Sequence, residues 1–156
     1  MPNLFPVDYD DEALAVESDF VSDDEVVGYK ESVYFDFEKG DYLRDSANRF
    51  LTSTGFDAWI QWCIKCLATQ RYAHLAYSDD YGVEYEAVFN STTREEAENE
   101  LTRQITEALN ADPYRRLSYI ESMVFDWIDD TAVVVSLVLV GVNGNTAELQ
   151  TTLKAA

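Results

Sequence analysis

Residues 117–153, LSYIESMVFDWIDDTAVVVSLVLVGVNGNTAELQTTL, decide the fold of this chain. The stretch holds three β-rich runs, at residues 117–128, 132–142 and 146–153. Asp129-Asp130 forms a turn signal between the first two runs, and Asn143-Gly144 is a strong signal for a two-residue hairpin between the last two. Strands joined by such short connections run antiparallel. The stretch therefore predicts a three-stranded antiparallel meander.

Two amphipathic helices precede the meander. Apolar residues recur with the helical period over residues 56–68, and Ser53-Thr54 can cap the start of this helix. A second helix is predicted near residues 93–110, with a capping box at Thr92-Thr93 and with Pro113 preventing its continuation. Because each helix has one apolar face, the sequence predicts an α+β fold with two helices packed on one face of a mainly antiparallel sheet.

Upstream of the helices, aromatic residues alternate along the chain. Val33, Phe35 and Phe37 fall on one face of a predicted half-buried strand. Residues 42–51 contain a polar stretch between two apolar ones, which suits a hairpin or an irregular excursion.

The composition is that of one strongly acidic domain. The chain has 156 residues, with 11 basic and 30 acidic side chains, so its net charge is −19. Such a surface repels phosphate backbones and anionic headgroups, so we expect neither nucleic acid nor membrane as a partner. No apolar run reaches the roughly 18 residues of a membrane span. The opening residues carry no secretory signal pattern, so we expect synthesis in the cytoplasm.

The acidity is concentrated at the start of the chain. Residues 1–40 hold 12 acidic side chains and two basic ones. Residues 1–31 are therefore predicted to form an acidic arm that is extended or partly disordered, and residues 32–156 a single α+β domain. The arm is either a solvated tail or a segment that orders on a neighbouring subunit.

The residue types that usually carry catalysis occur in unpromising positions. Cys63 and Cys66 form a C-x-x-C pair, but Cys63 lies two turns into the predicted helix, where a buried and inert thiol is expected. His74 is the one histidine and has no nucleophile signature nearby. The many carboxylates make chance pairs uninformative. We therefore predict no enzyme, no metal site and no cofactor.

Aromatic side chains are unusually frequent, and four tyrosines crowd residues 72–85 beside Arg71. Aromatic and arginine side chains are enriched at interface hot spots, but a tyrosine-lined small core would give the same pattern. The residues alone indicate an acidic α+β interaction protein.

Three blocks extend this interpretation. They are residues 33–40, VYFDFEKG; residues 58–84, AWIQWCIKCLATQRYAHLAYSDDYGVE; and residues 105–113, ITEALNADP. Together they resemble the small baseplate wedge protein, or sheath initiator, of contractile phage tails and tailocins, a family often labelled tail-lysozyme-like. Gln70 stands where that family usually has glutamate, and Tyr114 separates Pro113 from the arginines that follow it.

The resemblance implies a structural role. It implies a wedge subunit, six per baseplate, that binds other wedge proteins around the tail tube or hub and docks the first ring of tail sheath by strand addition. The protein would reside in the tail particle. The alternatives are a peptidoglycan hydrolase, or another acidic tail or host-directed adaptor.

The resemblance also suggests three groups of site residues. A structural ionic motif comprises Arg71, Asp112, Pro113, and either Arg115 or Arg116, with Asp112, Glu84 or Glu107 as carboxylate partners. A family-motif loop comprises Tyr72, Tyr77, Tyr81 and Gly82. A sheath-docking edge comprises Thr146, Glu148, Gln150, Thr151, Thr152 and Leu153.

Overall fold

The computed structural model describes residues 29–155. The predicted arm, residues 1–31, lies outside this range except for its last three residues. The helices are α1 (Gly55–Ala68), α2 (Tyr85–Phe89) and α3 (Arg94–Asn110). The strands are β1 (Ser32–Val33), β2 (Phe35–Asp36), β3 (Asp41–Tyr42), β4 (Thr52–Ser53), β5 (Leu117–Asp129), β6 (Ala132–Gly141) and β7 (Thr146–Lys154).

The closing meander is confirmed, with strand order β5-β6-β7 and antiparallel pairing throughout. Its second turn is longer than the predicted two residues. The Gly141 amide donates to the Asn145 carbonyl at 2.8 Å, and the Gly144 amide donates to the Gly141 carbonyl at 2.9 Å. Gly144 has a φ of +78°, so the turn is a three-residue loop that requires a left-handed residue at its end.

The two long helices begin where the sequence predicts. The Thr54 hydroxyl caps α1 by accepting from the Asp57 amide, and Thr93 and Glu96 form a complete capping box on α3. The apolar stripes of both helices pack on one face of the meander to form the core. Its largest fully buried side chains include Trp59, Leu67, Leu101, Ile105, Leu137 and Leu139. The α+β fold is thus confirmed.

The structure contains one short helix that the periodicity did not predict. Helix α2 spans only Tyr85–Phe89, a segment interpreted from sequence as part of a tyrosine-rich loop. The Tyr85 hydroxyl donates to the Leu67 carbonyl at 2.7 Å, and Val88 is fully buried. A single turn of this kind is stabilised by tertiary contacts, since a helix so short is marginal by itself.

The predicted half-buried strand around Val33 is confirmed only in part. The segment forms two short strands instead of one, β1 paired with β4 and β2 paired with β3, and Phe35 is the half-buried member of the three alternating residues. Val33 is 37% exposed and Phe37 is 42% exposed, so the alternating side chains do not enter the core. They line a surface groove instead. Tyr29, just before them, stacks on Trp59 with ring centroids 5.7 Å apart and fixes the chain to α1.

Candidate functional site

Strand β7 lies at one edge of the three-stranded sheet, and within residues 29–155 its only strand partner is β6. The direction of its backbone groups follows from two bonds that flank it. Gly141 donates to Asn145, and Ala155 donates to Thr131, both at 2.8 Å. Because hydrogen-bonded and non-hydrogen-bonded pairs alternate in antiparallel ladders, the odd-numbered residues of β7 bond to β6. The even-numbered residues direct their amides and carbonyls outward, and they include Thr146, Glu148, Gln150 and Thr152.

The six residues predicted to form the docking edge divide accordingly. Those four outward-directed residues also have exposed side chains. Leu153 is 2% exposed and packs in the core, while Thr151 is half-buried, and both belong to the inward-bonded set. The accessible edge is therefore one hydrogen-bonding row with few charges, since Glu148 and Lys154 are the charged residues of β7.

The opposite edge of the sheet is strand β5, and its geometry is different. The pairing of β5 with β6 shifts register between Leu117 and Tyr119, between Ile120 and Ser122, and between Trp127 and Asp129. Each shift is a bulge that bends the strand and disrupts the regular spacing of its backbone groups. The two edges of one sheet are thus unequal, because β7 pairs without any shift.

Arg71 lies at the centre of one ionic cluster. Its guanidinium is 6% exposed and donates to the Gly82 carbonyl at 3.0 Å, the Gln104 carbonyl at 3.3 Å and the Glu107 carboxylate at 3.0 Å. Arg103 bridges Glu107 to Glu100 on the surface of α3. The bond from Arg71 is the main cause that lowers the pKa of Glu107. The cluster connects the loop after α1 to the last turns of α3.

A second pair forms where α3 leads into β5. Arg116 donates from Nε and Nη2 to the Asp112 carboxylate at 2.7 and 3.0 Å, and both residues are buried. The same carboxylate accepts from the backbone amides of Tyr114 and Arg116. The sequence left Arg115 and Arg116 as alternatives. The structure pairs Arg116 with Asp112, while Arg115 is exposed and has a φ of +48°.

Three of the four loop residues lie close together. Tyr77 stacks on Tyr81 with ring centroids 4.3 Å apart, and Tyr81 contacts Trp62 edge-on. Gly82 has a φ of +89°, and a Cβ at this position would lie 2.6 Å from the Thr69 carbonyl oxygen. Tyr72 differs, because it is 64% exposed. The loop is therefore mostly packed structure with one projecting tyrosine.

The structure also contains a surface groove that sequence reasoning missed. Aromatic side chains line it, and its volume is about 480 Å³. We call it the aromatic groove; its aromatic residues are Phe35, Phe37, Tyr42, Trp62 and Tyr114. The Phe35 and Phe37 alternation was the available signal, but it was interpreted as the inner face of a strand.

The residues with reactive side chains have structural surroundings. Cys63 and Cys66 are both buried free thiols, and burial raises the pKa of both, that of Cys66 to about 12. His74 is exposed and contacts Tyr77 edge-on. Within the described part of the chain, no group of three or more His, Cys, Asp or Glu could hold a metal ion. No helix of residues 29–155 is long and apolar enough to cross a membrane.

Comparison with known proteins identifies the family of this chain. Residues 31–137, more than half of the chain, match the family model for the contractile injection system sheath initiator. The chain belongs to the sheath initiator family. Among curated proteins, none matches the chain. As a sheath initiator, the protein is a structural component of the tail or baseplate of a contractile injection particle, where it interacts with sheath and other baseplate components.

The matched range divides the candidate sites of this sheath initiator. Both ionic clusters and the tyrosine loop lie within residues 31–137, and so do the residues of the aromatic groove except Lys30. The match ends at Leu137 in β6, so the accessible edge of β7 lies beyond it. The family match therefore gives no information on the role of that edge, which has to be argued from the geometry of β7.

Proposed function

We propose that this sheath initiator starts sheath assembly by accepting a strand from a sheath subunit along the outer edge of β7. The observation that carries this proposal is the row of outward amides and carbonyls at Thr146, Glu148, Gln150 and Thr152. An incoming strand pairs with such a row through backbone hydrogen bonds, which supply affinity with little dependence on side chains.

Two properties of β7 favour strand addition. Natural edge strands are usually protected by charges, proline or bulges, and β7 has only Glu148 and Lys154 as charges and no bulge. Its inner neighbour β6 is almost entirely apolar and contributes Val133, Val135, Leu137 and Leu139 to the core. A strand held this firmly on one side is a rigid template on the other.

The ionic pairs are proposed to hold this template in place. The Arg116 carbonyl accepts from the Val142 amide at 2.9 Å, so the Asp112–Arg116 pair fixes the start of β5 against the turn between β6 and β7. Arg71 in turn connects the tyrosine loop to α3. We assign Arg71, Asp112 and Arg116 a structural role on this basis, with Pro113 at the bend between them.

The remaining features of the proposal follow the family resemblance. The protein is a wedge subunit present in six copies per baseplate, bound to other wedge proteins around the tail tube or hub, and made in the bacterial cytoplasm. The sheet edge would then face the first sheath ring.

The direction of each amide in β7 provides a sharp test. Gln150→Pro removes an outward amide and leaves the ladder to β6 intact, as proline is tolerated on edge strands whose N–H faces solvent. We expect this variant to fold, to join the baseplate and to leave the tail tube without sheath, as counted by electron microscopy. Gln150→Ala retains the amide and is the matched control that should assemble sheath normally.

A particle without sheath could result from a lost docking edge or from an unfolded initiator, and a folding measurement distinguishes these two causes. Thr151→Pro removes an amide that bonds to β6, so its thermal unfolding temperature should fall well below that of Gln150→Pro. Normal sheath on particles that carry folded Gln150→Pro would show that this edge does not dock sheath.

A further inference from the structure

The aromatic groove has the features of a binding site without an occupant among the described residues. Its walls come from three parts of the chain: residues 30–42, the outer side of α1, and residues 114–116. Phe37, Tyr42 and Tyr114 are each between 41% and 48% exposed. Aromatic side chains clustered and exposed to this degree mark an interaction or ligand-binding surface.

The charge of the groove is opposite to that of the protein. Lys30, Lys65 and Arg116 line it, together with a single acidic residue, Glu31. Arg116 is neutralised by Asp112. In the described part of the chain neither lysine has an ion-pair partner; their ammonium groups lie 5.0 Å from the ring centre of Tyr114 and 5.4 Å from that of Tyr77, respectively. The groove therefore offers two cations to an anionic ligand.

One polar group in the groove also lacks a partner. The Gln61 side-chain oxygen accepts from the Phe35 amide at 2.9 Å. The Nε2 atom of Gln61 is buried and has no acceptor within residues 29–155. A buried donor without an acceptor is costly, so a ligand that brings oxygen atoms to this wall would be favoured.

The chain itself contains a segment with the complementary chemistry. Residues 1–28 carry nine acidic side chains and no lysine or arginine, and they also include the apolar or aromatic residues Leu4, Phe5, Tyr9 and Phe20. This segment ends next to Tyr29, which is fixed on Trp59, and Lys30 already lines the groove. Attachment at the rim gives the segment a high effective concentration at the groove.

We propose that the acidic segment of residues 1–28 binds intramolecularly in the aromatic groove, with its carboxylates at Lys30 and Lys65 and its apolar side chains on the exposed aromatic rings. This assignment is independent of strand addition, because β7 contributes no residue to the groove. It gives the acidic arm a defined binding site on its own domain.

The buried thiols make a direct test possible in the full chain. Because Cys63 and Cys66 are buried, a thiol introduced by Ser18→Cys can be labelled selectively with a nitroxide spin label. We expect the label to broaden the NMR signals of Phe35, the Trp62 indole and Lys65. The signals of Val124 and Ser136 in the sheet should be unaffected. Broadening spread evenly over the domain, or absent from the groove, would overturn the proposal.

Charge reversal provides the matched comparison. Lys30→Glu/Lys65→Glu in the labelled chain should abolish the broadening, whereas Lys39→Glu/Lys154→Glu changes the net charge equally outside the groove and should retain it. Thermal melts of both variants verify folding. Raising salt from about 0.1 M to about 1 M shortens the Debye length from roughly 10 Å to roughly 3 Å and should weaken the broadening. Unchanged broadening in the groove-reversed chain would contradict the assigned contacts.

A mixing experiment distinguishes binding of the segment to its own domain from binding to the domain of another copy. Spin-labelled chain without isotope is added to isotope-labelled chain without the label. No broadening is expected in the mixture if the segment binds its own domain. Broadening of groove signals in the mixture would assign the groove to the segment of another copy and overturn the intramolecular proposal.

Discussion

Arg116 and Asp112 form a buried bidentate ion pair across four residues, with N–O distances of 2.7 and 3.0 Å. The pair closes the bend that follows α3, and the Arg116 carbonyl continues the connection to the Val142 amide. One local interaction therefore determines where β5 begins relative to the turn between β6 and β7.

Removal of Arg116 should be strongly destabilising. Arg116→Ala leaves the buried Asp112 carboxylate without its cation, and breaking a buried pair in this way costs about 3–5 kcal/mol. Urea denaturation measures the loss. Arg94→Ala, which removes an exposed pair with Asp130, is the comparison and should lose less, since exposed pairs contribute at most about 1 kcal/mol. Equal losses would show that burial does not matter here.

Acid should weaken the Arg71 cluster. Arg71 lowers the pKa of Glu107 below its ordinary value of 4.5, so the carboxylate stabilises the fold above that pH. This stability is lost as the pH falls through the depressed pKa. Urea denaturation from pH 7 to pH 3 should show the wild type converging on Glu107→Gln at the acid end. A constant gap between wild type and Glu107→Gln would refute the assignment.

Gly82 should tolerate alanine poorly. Gly82→Ala combines a left-handed backbone with a Cβ only 2.6 Å from the Thr69 carbonyl oxygen. Gly40→Ala is a matched control, because Gly40 has a similar φ of +70° but no atom within 4 Å of the added Cβ. The left-handed conformation alone costs roughly 1–2 kcal/mol. Calorimetry should show a larger loss of stability for Gly82→Ala than for Gly40→Ala. Equal losses would mean that the loop around Gly82 moves to accommodate the added Cβ at no cost.

The thiols should be inert in the folded protein. Burial raises the pKa of Cys66 to about 12, and the thiolate is the reactive form. A thiol reagent such as Ellman's should react only after denaturation. Sheath assembly should survive substitution of both cysteines by serine or alanine, apart from a loss of stability. Thiol–disulfide exchange activity that disappears on substitution would contradict this.

The purified chain should not cleave peptidoglycan. Glycosidases place two carboxylates on either side of the scissile bond, and Glu31 is the single carboxylate lining the aromatic groove. Turbidity assays with cell-wall suspensions should match buffer, with lysozyme as the positive control. Activity that one Asp or Glu substitution abolishes would support the hydrolase alternative.

Regular elements were predictable because their sequences repeat with the period of the structure. Helix α1 and the meander extend over enough residues for that period to be evident. Helix α2 does not, since Tyr85–Phe89 is little more than one turn. Alternation at Phe35 and Phe37 showed that two side chains share a face, but it contained no information on whether that face meets the core or a groove.

The choice between Arg115 and Arg116 also lay beyond sequence reasoning. It depends on the left-handed φ of Arg115, which turns the chain so that the next side chain meets Asp112. Similarly, the outward direction of Gln150 follows from the register of the ladder. The family resemblance suggested the residues of these sites, whereas their pairing required coordinates.

The bulges of β5 have a consequence for self-association. If β7 of one copy could pair along β5 of the next, this head-to-tail contact would repeat and generate an open filament. Three register shifts leave β5 without the even spacing that β7 would need from such a neighbour. If sheath docks on β7 as proposed, the initiator would start a polymer of another protein, while the irregular β5 edge disfavours a fibre of the initiator itself.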